Sequence, residues 1–278
     1  MRLRQIFAGL AIHLSGALVL WTGAAILPVA DGPAFAQNII TAGFRPIAPY
    51  VMQNPDGSLT GLEYDLVMAA AQRGGLALKA ELAPFGRLPE DFRRQIVGAM
   101  VPANPAMGLP GCLSDTVLVY RNLVYTLAQR GLVLQEPADL VNLDVMAFQN
   151  AQVILGPAMV AVRQGNPKYR EVANQMLQVR ALFSGRTDAI IAERRIFLNL
   201  TRGSDVGLDT SAAVTEHDLF PPISYGVAFH DPAQCAAFNH GLEMLKRGGD
   251  YDAILNRWEG PLQAQNNSQN NRAARPPG

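Results

Sequence analysis

Leu182-Phe183-Ser184-Gly185-Arg186-Thr187-Asp188-Ala189-Ile190-Ile191-Ala192-Glu193 holds a helix end, a stop and a strand in one short run. Ser184-Gly185 closes a helix predicted over 169–183, since glycine takes the left-handed conformation that helix ends favour. Asp188 to Ala192 then reads as a short, continuous apolar strand of the kind buried on both faces. The same alternation of strand and helix runs outward in both directions and predicts an α/β fold.

Toward the N-terminus, Asn38 to Ala42 reads as an opening strand and Asn54-Pro55-Asp56-Gly57 as a turn. Thr60 reads as a helix cap and Glu63 as the partner completing a capping box. Leu62, Leu66, Val67 and Ala70 then line one face, and Gly74-Gly75 is the stop. Strands are predicted over 76–82 and 96–101, with a short helix over 90–95 between them. Pro102 to Gly111 reads as a loop. Val117 to Leu134 is β-prone and long, which suits a chain crossing between two lobes. Asp144 to Phe148 reads as a strand that runs into a helix at Asn150. Toward the C-terminus, Ile223 to Phe229 is a strand that carries the chain back. Asp231 and Pro232 open a helix with Phe238, Leu242 and Leu245 inside, and 251–258 forms a last helix.

The chain ends differ from this body. Arg2 and Arg4 precede an apolar run from Ile6 to Val29, and Ala34-Phe35-Ala36 supplies a small-x-small site, so residues 1–36 read as a cleaved secretory signal. The run is long enough to span a membrane; Pro28, Pro33 and the Ala-x-Ala site favour cleavage before Gln37. No cysteine precedes Cys112, which excludes lipid attachment at that site. The expected location is the periplasm. Residues 261–278, rich in Asn, Gln, Ser, Arg and Pro, read as a disordered tail.

Without Arg2, Arg4 and Asp31, the mature chain carries 21 basic and 22 acidic residues and no basic run. That balance excludes nucleic acid as an expected partner. Export allows Cys112 and Cys235 to pair, and two buried thiols are the alternative. His217, His230 and His240 lack metal-ligand spacing, so no metal and no cofactor are expected.

Three stretches resemble the family 3 extracellular solute-binding proteins, the polar amino-acid receptors of ABC importers. They are Pro55-Asp56-Gly57-Ser58-Leu59-Thr60-Gly61-Leu62-Glu63-Tyr64-Asp65-Leu66, the Leu182–Glu193 run, and Tyr225-Gly226-Val227-Ala228-Phe229 with the helices around Gly248-Gly249-Asp250-Tyr251. The resemblance implies a two-lobed, periplasmic-binding-protein-like (type II) clamp with two crossover strands. Lobe one would be 37–130 plus 225–260, and lobe two 131–224. Both cysteines would then lie in lobe one.

In such a fold the solute lies beyond the carboxyl ends of strands. Gln149 and Asn150, where a strand opens into a helix, would offer free N–H groups to an anion. Met100, Pro102 and Asn104 close the third strand. The resemblance adds Glu193 as an acid for a ligand ammonium, and Phe44 and Tyr50 as aromatic walls. It also implies an arginine after the third strand, gripping a carboxylate. Here Pro102-Ala103-Asn104-Pro105-Ala106-Met107-Gly108 carries none, leaving Arg87 or Arg121 as substitutes. The expected function is a monomeric, non-enzymatic receptor that binds a small polar solute, an amino acid or related organic acid or amine. It would hand the solute to an ABC permease in the inner membrane. The alternatives are a dehydratase-type enzyme on the same scaffold, with Glu193 as acid, and an accessory or sensor protein of a periplasmic redox system.

Overall fold

The computed structural model describes residues 39–202 and 207–260. The expected signal segment and tail lie outside the described residues. The chain begins with β1 (Ile40–Phe44), β2 (Met52–Gln53), β3 (Leu59–Thr60), α1 (Leu62–Arg73), β4 (Leu78–Leu82), α2 (Leu88–Arg93) and β5 (Ala99–Ala103). After β6 (Cys112–Leu113), β7 (Leu118–Tyr120) and β8 (Asn122–Leu127) come β9 (Val145–Phe148), α3 (Ala151–Ile154), α4 (Pro157–Gly165) and β10 (Arg170–Val172). It closes with α5 (Met176–Phe183), β11 (Ala189–Glu193), α6 (Arg194–Arg202), β12 (Val214–His217), β13 (Ile223–Phe229), α7 (Pro232–Arg247) and α8 over 250–260.

Two sheets organise these elements into a two-lobed α/β clamp. The first runs β4-β1-β5-β13-β6, with β7 paired to β13; the second runs β10-β9-β11-β8-β12. In the first, β1 is parallel to β4 and β5, and β13 is antiparallel to β5. In the second, β9, β10 and β11 are parallel, while β8 and β12 run antiparallel. Every residue of β5, β9 and β11 is buried, as helix-covered parallel strands require. Their Val, Ile, Met and Ala content is what the alternation in the sequence registers.

The first core lies where α1 and α7 pack on the sheet, with Phe44, Leu66, Val67, Phe229, Phe238 and Leu242 fully enclosed. Gly241 permits that approach, because a side chain there would collide with the Ala70 carbonyl on α1. α8 is fastened to the same lobe: Trp258 and Arg257 donate to Asp65, and Tyr251 donates to the Val117 carbonyl. The second sheet is covered on both faces. Tyr125 stacks on Phe197 on one side, and Met159 and Val162 of α4 seal the other.

Several expectations are corrected. Thr60 belongs to the β2–β3 ladder, and Gly61, with φ 136°, precedes α1 without any side-chain cap. Any side chain at 61 would strike the Tyr50 carbonyl, and Glu63 turns inward rather than back to the helix start. The single helix expected over 169–183 is a strand and a helix. β10 pairs with β9 as an edge strand, and its Arg-Glu-Val sequence carries too little apolar pattern to announce it. The third strand starts later than expected, at Ala99, because Gln95 turns with φ 57° and leaves Ile96 exposed. The long strand expected over 117–134 breaks at Arg121: β7 joins the first sheet and β8 the second. Asp231 does cap α7, accepting from the Ala233 N–H at 2.8 Å.

Cys112 and Cys235 form a disulfide joining β6 to α7 across 123 residues of sequence. A cross-link closing so long a loop restricts the unfolded chain strongly, with a typical effect of about 2–5 kcal/mol. The double variant Cys112→Ala/Cys235→Ala should therefore lose stability of that order in urea unfolding, and reducing agent should bring the native protein to the same midpoint. Coincident curves with and without reductant would contradict the bridge's role.

Candidate functional site

The carboxyl ends of the parallel strands from both sheets converge on one junction. β1 delivers Arg45, β5 delivers Asn104, β9 delivers Gln149 and Asn150, and β11 ends in Glu193. The chain crosses the junction twice, at Tyr120-Arg121-Asn122 and between β12 and β13. The loop after β4 meets the end of β9 there: the Gln149 amide lies against Gly86, with nothing but hydrogen on the glycine side.

Glu193 sits at the centre and is 3% exposed. Its Oε2 accepts the backbone N–H groups of Arg195 and Ile196, at 2.8 and 3.0 Å, and so caps the start of α6. Its Oε1 has no hydrogen-bond partner among the described residues and lies 3.7 Å from Arg195 Nη1. Burial pushes its carboxyl up, and Arg195, the Ile196 N–H and Tyr50 act against that rise. Arg195 is itself tied down: Nε donates to Glu259 at 2.9 Å, and Nη1 donates to the Val119 carbonyl at 3.0 Å and to the Tyr50 hydroxyl at 3.4 Å. Burial opposes its charge, but Tyr50, Glu193 and Glu259 outweigh it and hold the guanidinium protonated.

Above this pair runs an aromatic ladder. Tyr50 stacks on Tyr120 with ring centres 4.4 Å apart, and Tyr120 packs on Tyr225 at 4.5 Å. The Tyr120 hydroxyl donates to Glu63 Oε1 at 3.1 Å. Glu63 is 2% exposed, and burial pushes its carboxyl up to about 7 despite that hydrogen bond and the positive charge of Arg45. The Tyr225 hydroxyl, raised to about 12 by burial, meets the side chain of Asn104.

The expected residues fall into four groups. Phe44 and Met100 are core residues, Phe44 against Tyr64 and Met100 beside Phe92, so neither presents a side chain to the junction. Arg87 pairs with Asp91 at 2.7 Å and Arg121 pairs with Asp218, both on the surface. The free N–H groups expected at Gln149-Asn150 are taken: Asn150 and Gln152 N–H donate to Glu171 at 2.8 and 3.1 Å. β10 brings that carboxylate beside the end of β9, so the chain supplies its own anion. Tyr50 and Glu193 do come together, Asn104 meets Tyr225 in the same aromatic ladder, and the Gln149 side chain lies against Gly86 instead. Arg45, Glu63 and Arg195 are the members the sequence reading missed. For Arg45 the available signal was its place directly after the first strand.

No family model matches the sequence. It is 22% identical over 231 residues to an arginine-binding periplasmic protein from Mannheimia haemolytica, covering 82% of this chain and 93% of that one. A histidine kinase sensor domain with similarity to periplasmic binding proteins superposes with a TM-score of 0.68 at 16% identity, covering 81% of this chain and 97% of its own. The ancestral amino-acid-binding protein AncCDT-1, described as a precursor of cyclohexadienyl dehydratase, gives 0.63 at 18% identity, covering 79% and 94%. These likenesses establish the fold as that of the two-lobed solute-binding proteins.

Glu63 makes stability depend on pH. Its carboxyl rises from 4.5 to about 7 on folding, so its contribution is fully present below pH 4.5 and is lost as pH rises through 7. The loss is on the order of 3 kcal/mol. Glu63→Gln keeps an acceptor for Tyr120 and mimics the neutral acid. Its melting temperature should gain on that of the native protein between pH 5 and pH 8. Parallel melting curves across that range would show that Glu63 does not titrate there.

Proposed function

We propose that this chain is a periplasmic solute-binding receptor, a clamp that captures a small polar solute between its lobes and passes it to an ABC permease. The observation that carries this reading is the convergence of strand ends from two sheets on one junction, with the chain crossing it twice. Such a joint lets the lobes open and close as bodies. Solute touching both lobes stabilises the closed form by its differential affinity, with no covalent chemistry. The relative's arginine-binding name supports an amino-acid-like solute. Among the described residues, the strand pairing supports lobe one as 39–121 with 223–260, and lobe two as 122–202 with 207–222.

Two acids with raised carboxyls are present, as an acid-catalysing dehydratase would need. Glu63 is sealed under Tyr120, however, and Glu193 is held by the α6 start and Arg195, which supports binding over acid catalysis.

Expression of the full chain in a Gram-negative host tests the reading. Mature protein beginning at Gln37 should appear in the periplasmic fraction, carrying a small polar solute that mass spectrometry recovers chemically unchanged after incubation. Retention of the intact leader in membranes would contradict the export step. Conversion of the solute would favour the enzyme.

A further inference from the structure

The second sheet has an open edge, and the side chains gathered along it differ from those of the junction. β10 is the edge strand, paired with β9 alone. Side chains alternate along a strand, so Arg170 and Val172 share the α5 side while Glu171 takes the other face, where it accepts the N–H groups of Asn150 and Gln152. The one acid of β10 is thereby removed from the α5 side. Between β10 and α5 lies a cavity of about 720 Å³, within the size range of small-molecule sites. Arg170, Arg180 and Arg186 line it, with no carboxylate among the described lining residues. The rest of the lining is largely apolar: Met146 and Val172 from the strands, Leu177 from α5 and Leu208 beyond α6. Leu177 and Leu208 are 45% and 40% exposed. Single exposed leucines are ordinary, but these two share one cavity with three arginines.

This cavity is separate from the junction. The junction gathers carboxyl ends of strands, with β9 finishing at Phe148 and β11 at Glu193. Two of the arginines stand toward the amino ends. Arg170 is opposite Met146 and donates to Asp144, the residue before β9, and Arg186 precedes β11 by three positions. The Asp188 N–H is bonded to the Asp144 carbonyl at 2.9 Å, which brings the Arg186 turn to the end of the sheet where Arg170 lies. Arg170 uses Nη1 alone, on Asp144 at 2.6 Å and on the Lys168 carbonyl at 3.3 Å; its Nε and Nη2 have no partner among the described residues. Arg186 is exposed, and its side chain has no ion-pair partner among the described residues.

We propose that this cavity is a second binding site, for a phosphomonoester that carries an apolar body. Such a group bears roughly 1.5 to 2 negative charges at neutral pH and three strong acceptor oxygens, which answers several guanidiniums where a lone carboxylate would answer one. Guanidinium forks hold phosphate oxygens in pairs, and the apolar body covers Leu177 and Leu208. The site lies at the outer edge of the second lobe and does not depend on the receptor reading.

The test uses the mature protein in buffer free of phosphate and sulfate. Phenyl phosphate, adenosine 5′-monophosphate, inorganic phosphate and benzoate are the soluble probes. Titration calorimetry should show at least one of the two esters binding one per chain, at least about tenfold tighter than inorganic phosphate or benzoate. Hydrogen exchange should place the protection at 170–186. Arg186→Gln and Leu208→Asp should each weaken the ester at least about tenfold, with the unliganded melting temperature within a few degrees of native, since both side chains are exposed. Vesicles of phosphatidylcholine with and without phosphatidic acid separate a lipid source of the same group from a soluble one; binding confined to the phosphatidic acid vesicles keeps the site and assigns it to lipid. Three results would overturn the proposal: no ester or phosphatidic acid binding at millimolar concentration, native affinity in both variants, or protection at the ends of β5 and β11 in place of α5. Equal binding of inorganic phosphate would overturn it too. If the arginines serve only to oppose the negative end of α5, Arg186→Gln lowers the melting temperature and no ester binds, which also overturns it.

Discussion

A single mostly buried guanidinium, that of Arg195, joins parts of the molecule that the sequence keeps far apart. It reaches from the start of α6 to Glu259 on α8, the Val119 carbonyl on β7 and the hydroxyl of Tyr50, while facing Glu193 on β11. α6 and β11 belong to the second lobe; the other three belong to the first. Withdrawing such a charge from water is costly, and multiple hydrogen bonds with good geometry are what offset it. Removing Glu193 or Glu259 would leave the mostly buried guanidinium one carboxylate short. The network therefore fixes where the lobes meet, and the crossings at Arg121 and between β12 and β13 sit beside it.

That tie also sets the electrostatics of the junction. With Arg195 committed to Glu193, and Glu63 pushed toward neutrality under Tyr120, the acids near the strand ends are largely spent. What remains is Arg45, whose guanidinium lies 4.7 Å above the Phe85 ring, and the open acceptor of Asn104.

The α/β architecture was readable because buried parallel strands are written as short apolar runs, as in Ala189–Ala192 and Val145–Phe148. Caps that depend on local contacts were readable too, as with Asp231. The failures came from contacts distant in sequence. Gly61 is dictated by the Tyr50 carbonyl, and the role of Asn150 by Glu171 on a strand too polar to be recognised. Of the junction, the strand-end rule pointed to Asn104 and Gln149, and the resemblance to Glu193. It could not reveal that Arg87 and Arg121 are satisfied elsewhere, or that Arg195 folds back on Glu193, because side-chain partnership is a property of tertiary structure.

On the receptor reading, the clamp pivots at the Arg195 tie and closes on its solute. Small-angle X-ray scattering on the mature protein, first stripped and then saturated with the solute it binds, addresses this directly. A smaller radius of gyration and a shorter maximum dimension in the saturated sample are the predicted result. Superimposable profiles, with calorimetry confirming saturation, would contradict it.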